Sequence, residues 1–129
     1  MTKPDLDVHV LCLGSGTSHG VPMIGCDCAV CRSQDPRNRR TRSSAIITIG
    51  DVCLLIDTST DLRQQALEHG LKRVDAVLYT HAHADHLHGI DDLRSFTLLQ
   101  RQPIPCFGDH ETLEQIRQRY PYLFKDPEF

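Results

Sequence analysis

No stretch of this chain approaches the roughly 20 consecutive apolar residues that a helix needs to cross a bilayer, so no membrane partner is expected. The first residues, Met1-Thr2-Lys3-Pro4-Asp5-Leu6-Asp7, lack the apolar stretch of a secretory signal. With 40% hydrophobic and 24% charged residues, the composition is ordinary for a globular domain, and the expected location is the cytoplasm. An excess of positive charge is missing as well. Fourteen Lys and Arg against seventeen Asp and Glu leave a net charge of −3, which gives no global attraction for nucleic acid. An anionic substrate would have to be held locally. There is no internal repeat, and no dinucleotide fingerprint either. Gly14-x-Gly16 followed by Gly20 is out of register for that pattern and has no acidic residue in a βαβ context, so these glycines are better spent on a tight turn.

What the chain does hold is chemistry concentrated in short segments. Thr80-His81-Ala82-His83-Ala84-Asp85-His86 follows directly on Val74 to Tyr79, an apolar run with the character of a buried strand. Residues two apart in an extended stretch point to the same side, so His81 and His83 can reach one cation together. Asp85 and His86 are neighbours, and in a helix they diverge by roughly 100°, which keeps them off the first ion. The spacing suggests two cations side by side, the first on His81 and His83, the second on Asp85 and His86, sharing a bridging hydroxide. Zn²⁺, Mn²⁺ or Fe²⁺ suit this mix of nitrogen and carboxylate donors. The alternative is a His-rich surface turn without metal.

The six cysteines do not read as a disulfide framework. Three of them, Cys26-x-Cys28-x-x-Cys31, have a spacing that suits one tetrahedral structural Zn²⁺ better than two separate bridges; the alternative is a cysteine-rich loop of reduced thiols. Cys12, Cys53 and Cys106 lie in strand-like segments and are expected to be small core residues.

Around these segments the sequence predicts an α/β arrangement. Val8 to Leu13 is an opening strand, and a long loop then carries the cysteines through to Arg42. Ser44 to Ile49 and Val52 to Ile56 are β-branched runs separated by Gly50-Asp51, a two-residue hairpin signal. Thr58-Ser59-Thr60-Asp61 opens a helix in capping-box style with Leu62, Ala66 and Leu67 on one face and Gly70 at its end. Val74 to Tyr79 is a strand, Ile90 to Leu99 a helix, Ile104 to Phe107 a short edge strand, and Glu111 to Tyr120 a helix halted by Pro121. Asp57 closes a strand, where it either accepts a hydrogen bond from a ligand imidazole or caps the following helix. His88 reads as solvated, Asp91 and Asp92 as a helix-start pair favourable to the dipole, and Arg37 to Arg42 as a solvated basic loop more than a phosphate contact.

The His run resembles the HxHxDH signature of the metallo-β-lactamase fold superfamily, and the resemblance covers nearly the whole chain. Leu13-Gly14-Ser15-Gly16-Thr17-Ser18-His19-Gly20-Val21-Pro22 is similar to that family's first strand and glycine turn. The cysteine segment from Gly25 to Cys31, with Asp35-Pro36-Arg37 and Arg42-Ser43-Ser44, resembles the branch of phosphoribosyl 1,2-cyclic phosphate phosphodiesterases. Leu55-Ile56-Asp57-Thr58 and His86 to Arg94 fit the same branch, and fit the tRNA 3′-processing endonucleases and the pyrroloquinoline-quinone synthesis protein B more loosely. The resemblance implies that residues 1–129 are a partial domain, the amino-terminal half of a four-layer αββα fold with helices on one face of a mixed sheet and a cysteine-rich loop at residues 25–42. Members of the family run to about twice this length, and their downstream half supplies further His and Asp ligands; in the resembling branch a distant His also completes the structural zinc. The missing half, or self-association, is the partner so implied.

The implied activity is metal-dependent hydrolysis of a small phosphorylated substrate, a cyclic phosphodiester of ribose, by a metal-bridging hydroxide. His81, His83, Asp85 and His86 would be the ligands of two Zn or Mn ions, with catalysis depending on Asp85; the truncated chain by itself is expected to be inactive. A competing enzyme reading is a tRNA 3′-end nuclease, which would need an RNA-binding arm absent from these residues. A reading from another class is a non-catalytic zinc-binding module with the cysteine loop as its interaction surface.

Overall fold

The β-branched runs on either side of Gly50-Asp51 fold back on each other: β2 (Ser44–Ile49) and β3 (Val52–Ile56) pair antiparallel with Ile49 opposite Val52. Gly50 sits at φ 56°, in the left-handed region that such a turn requires and that a side chain disfavours. The computed structural model in which this is seen describes residues 5–125. β1 (Val8–Gly14) adds antiparallel to β2, with an irregularity between Cys12 and Gly14. β4 (Ala76–Leu78) and β5 (Cys106–Phe107) then add parallel to β3, completing a mixed five-stranded sheet in the order β1-β2-β3-β4-β5. Parallel neighbours need crossovers. Here they are supplied by α1 (Leu62–Glu68) between β3 and β4, and by α2 (Ala84–Leu87), a 3-10 turn (Ile90–Asp92) and α3 (Leu93–Gln100) between β4 and β5. α4 (His110–Arg119) follows β5.

The core gathers where these crossovers meet the sheet: Leu55, Leu62, Val74, Val77, Leu87 and Ile116 are all fully buried. Burying a side chain of this kind is worth about 1.5–3 kcal/mol. Leu87 of α2 and Ile116 of α4 share this core with Leu55 and Val77 of the sheet, which ties both helices to it. Among the described residues no helix is long and apolar enough to cross a membrane.

Several expectations are corrected. Thr58 to Asp61 does not cap α1: Asp61 makes no side-chain capping bond and instead accepts the Arg42 amide at 2.9 Å and the Arg42 guanidinium at 3.0 Å. α1 buries Leu62 and Gln65, while Leu67 is 65% exposed, because Gln65 is drawn inward to donate to Thr41 Oγ1 and the Arg42 carbonyl. β4 is shorter than Val74 to Tyr79. Val74 is tied instead to the Gln100 side chain, whose carbonyl takes the Val74 amide and whose amide donates to the Val74 carbonyl. The single helix expected from Ile90 to Leu99 divides at Leu93, and Asp91 accepts Tyr122 Oη at 2.6 Å instead of serving the helix end. Cys12 is exposed, and Cys53 and Cys106 are half-buried; β1 is an edge strand with little packed on it, so Val8, Val10 and Leu11 are exposed too. Of the tail, Pro121–Phe124 forms a 3-10 turn, and 126–129 lie outside the described residues.

Candidate metal centre

The run leaves β4 extended and turns into α2 at Ala84, with His83 at φ −67° and ψ 151° just ahead of the helix. That change of backbone sends His81, His83, Asp85 and His86 to one end of the sheet. The His81 ring centroid lies 4.5 Å from that of His83 and 4.2 Å from that of His86. Asp85 Oδ2 stands 3.2 Å from His86 Nε2.

Beneath them lies Asp57, 3% exposed, at the end of β3 with φ 60°. Both carboxylate oxygens are engaged. Oδ1 accepts the Thr80 amide at 2.8 Å; Oδ2 accepts Thr80 Oγ1 at 2.7 Å and meets His86 Nδ1 at 2.7 Å. The tautomers follow from the inventory of donors. An ionised carboxylate can only accept, so the proton between Asp57 and His86 is on Nδ1. Thr80 has a single hydroxyl proton, and it is given to Asp57. Toward His81 Nδ1, 2.8 Å away, Thr80 Oγ1 must therefore accept, which places the His81 proton on Nδ1 as well. One buried carboxylate thus holds both imidazoles through Nδ1–H and leaves Nε2 as the remaining ring nitrogen of each. Of the two roles open to Asp57, the contacts made are with the His run, and there is no capping bond.

The loop backbone is anchored by its surroundings. Thr58 donates Oγ1 to the Leu87 carbonyl at 3.0 Å and its amide to the His86 carbonyl at 2.9 Å, and Tyr79 Oη lies 3.0 Å from Thr58 Oγ1. Burial pushes the Tyr79 phenol well above its ordinary value, so it stays a neutral hydrogen-bonding partner. Donor atoms of Asp57, His81 and His86 all lie within 4.8 Å of one another. His83 and Asp85 stand beside this group without belonging to it, and His88 is exposed, its ring 6.4 Å from that of Tyr120. Thr80 and Tyr79 were not singled out by sequence reasoning, although both adjoin the His run; the only available signal was that adjacency.

The second group is Cys26, Cys28 and Cys31, whose sulfurs also fall within 4.8 Å of one another. Cys28 Sγ accepts the Cys31 amide at 3.4 Å. That bond, with help from the neighbouring thiols, pulls the Cys28 thiol down to about 7, close to the range where the thiolate form that metals take is populated. The basic run is largely committed to neighbours: Arg37 to Asp35 at 2.7 Å, Arg42 to Asp61, and Arg40 to Ser15 Oγ at 2.7 Å. A cleft of about 400 Å³ bordered by His19, Arg39, Arg40, Arg42 and Asp61 touches none of His81, His83, Asp85 and His86. In the His cluster His83 is exposed, while His81, Asp85 and His86 are half-buried.

A mixed sheet with helical crossovers and a His/Asp cluster at the strand ends defines a class that comparison with known proteins makes explicit. A family model for the beta-lactamase superfamily domain matches residues 53–129, and the chain belongs to that superfamily. Among solved structures, a diphosphatase from the PhnP family is 45% identical with a TM-score of 0.85, over 91% of this chain and 47% of that one. Zinc-bound PqqB from Methylobacterium extorquens is 29% identical with a TM-score of 0.70, over 86% of this chain and 40% of that one. An octanoyltransferase of Porphyromonas gingivalis is 48% identical over 119 residues, which is 92% of this chain but 24% of that protein. The chain spans less than half the length of each.

Proposed function

We propose that this chain carries the first metal-holding part of a metal-dependent hydrolase acting on a small cyclic phosphodiester. The observation that carries the reading is the Asp57 network. It holds both His81 and His86 through Nδ1–H, and it leaves His86 Nε2 3.2 Å from an Asp85 oxygen. Two acceptors at that distance repel unless a cation or an added proton lies between, so the donor set fits a divalent ion. His83 and Asp85 complete the set expected for two ions, and Zn²⁺ or Mn²⁺ suits it. Two such ions, when bound, supply Lewis acidity and a water acidified toward neutrality.

What this chain's own residues contribute is position and charge. Asp57 and Thr80 hold the imidazoles in one tautomer. Asp85 brings its carboxylate beside His86, and His83 is the exposed member of the set. In the hydrolysis, water adds to phosphorus, the ring P–O bond breaks, and the leaving alkoxide takes a proton. No residue described here is placed to give that proton. The phosphodiester reading draws support from the cysteine motif and from the similarity to a protein described as a diphosphatase. A tRNA 3′-end nuclease draws less support, since a net charge of −3 gives no general attraction for RNA. A purely structural zinc module makes no use of exposed His83 or of the Asp85–His86 pair. The three cysteines would hold one structural Zn²⁺, with a fourth donor from elsewhere.

The isolated 129-residue chain should bind Zn²⁺ or Mn²⁺ weakly at the His cluster, because four donors shared over two ions fall short of the three protein ligands usual for one catalytic zinc. Calorimetric titration reads this, with the His81→Ala, His83→Ala double variant losing the uptake. Two ions retained at micromolar or better affinity by a monomer would overturn it. In a protein extended to the length of its relatives, Asp85→Asn should remove most of the turnover of a cyclic phosphodiester; full activity with full metal content would show that Asp85 is not a ligand.

The reading also assigns the open edge of β1 a partner. Val10 is 68% exposed and Val8 52%, and unpaired strand edges recruit other strands. We expect the isolated chain to self-associate through that edge, seen as a mass that rises with concentration in sedimentation. A monomer at high concentration would contradict it.

A further inference from the structure

We infer that Arg119 is a positioning residue for the His loop, acting from α4 by holding the Ala82 carbonyl between His81 and His83. The inference rests on the metal-centre reading above and extends it to a residue that lies far from the loop in sequence.

The His loop is tied down at its two ends, by Asp57 at Thr80 and by Thr58 at the His86 and Leu87 carbonyls. Thr80 is fixed by Asp57, and the His83 carbonyl accepts the His86 amide at 3.0 Å. Between them lies the peptide that determines how His81 and His83 are presented. Its carbonyl, on Ala82, is bonded by Arg119 Nη1, across 37 positions of sequence. No other donor reaches it among the described residues, and Ala82 itself is 5% exposed, so without Arg119 a largely buried carbonyl would be left unpaired.

The guanidinium is itself held. Arg119 Nη2 donates to Gln115 Oε1 at 3.1 Å, one turn back along α4. α4 in turn is fixed to the sheet by fully buried Ile116 and at its start by Asp109, whose carboxylate accepts the Thr112 amide at 2.7 Å. The rigidity of the helix is therefore passed to the loop through one planar side chain with two donors in use, a geometry that Lys cannot reproduce.

Charge and geometry make opposite predictions, which lets them be separated. A cation next to a metal-binding loop repels metal ions, so on Coulomb grounds alone removing Arg119 would tighten binding. If the residue positions the loop, removing it loosens binding, by the roughly 10- to 100-fold typical of supporting contacts behind metal ligands. The test is Zn²⁺ affinity of the 129-residue chain and its Arg119→Met variant, both with Cys26, Cys28 and Cys31 replaced by Ser so that the His cluster is what is read, by competition with a chromogenic chelator. It is paired with amide hydrogen exchange of the metal-free proteins.

We expect Arg119→Met to weaken Zn²⁺ by about 10-fold or more and to speed exchange at the His86 amide, which reports the His83 carbonyl. The Val77 amide, bonded to Pro105 O at 3.0 Å within the sheet, should keep its protection. Gln115→Leu, which frees one end of the guanidinium, should move both readouts the same way by less. Unchanged or tighter Zn²⁺ binding in Arg119→Met overturns the inference. Should neither protein take up Zn²⁺, the metal reading fails, and the His86 amide alone decides: equal exchange in the two proteins overturns the anchor.

Discussion

Asp57→Asn is expected to leave the fold intact and to weaken divalent-metal binding by about 10- to 100-fold. Asn tolerates the left-handed backbone that Asp57 adopts at φ 60°, so the change is one of hydrogen-bond polarity. The carboxylate can only accept; the amide also donates. An NH₂ turned toward His86 Nδ1 meets the ring's own N–H, and the favourable resolution moves the His86 proton to Nε2. That removes the lone pair facing Asp85. Turning the amide the other way sets the NH₂ against the Thr80 amide, so one of the two bonds is lost in either orientation. The imidazole ¹⁵N shifts of His86 would show the proton on Nε2, and a Zn²⁺ titration would show the loss. Unchanged affinity would mean that His86 does not bind metal through Nε2, or that Asp57 does not set its tautomer.

Gly89→Ala should be the most damaging single methyl group near the site. A Cβ there would lie 1.8 Å from the Ser59 carbonyl oxygen and 2.9 Å from the Ser59 carbonyl carbon, backbone atoms that cannot swing aside as a side-chain tip can. Gly89 has φ −83°, ordinary for any residue, so the whole effect is contact and none is backbone strain. The Gly89 amide also donates to the Thr58 carbonyl at 3.1 Å. Prising this contact apart separates the end of α2 from the Thr58–Ser59 segment that holds the Leu87 and His86 carbonyls. Overpacking of this severity costs about 3 kcal/mol or more. Urea unfolding should show a lower midpoint at unchanged slope, with metal binding weakened in parallel. A variant as stable as the parent would mean that the two segments part at little cost.

Both expectations depend on contacts that differ in how readable they were. The His run itself was legible, because its logic is local: period two in an extended stretch, then a helical turn, is written in the spacing of His81, His83, Asp85 and His86, and α2 does begin at Ala84. The β2–β3 hairpin was equally legible, since Gly50-Asp51 between β-branched runs is a turn signal needing nothing from the rest of the chain. The helix after Asp57 was placed correctly, with Leu62 buried and Ala66 packed on the core, but Leu67 was set inward where Gln65 lies instead. A buried, hydrogen-bonded Gln65 beside an exposed Leu67 defies a pattern that counts apolar residues. What draws Gln65 in is the polar backbone of Thr41 and Arg42, brought there by pairing between segments distant in sequence.

The sequence by itself determined which residues are the candidates for the chemistry and the local backbone that presents them, because side-chain periodicity and turn preference act over a few residues. The tertiary structure alone decided how those residues are held. Asp57 reaches Thr80 across 23 positions and His86 across 29, and Arg119 reaches Ala82 across 37. Which distant donor meets which acceptor depends on the strand order and on where the crossovers set each helix down. No spacing rule encodes that, because the hydrogen bonds form only after the hydrophobic core has fixed the sheet and helices against one another.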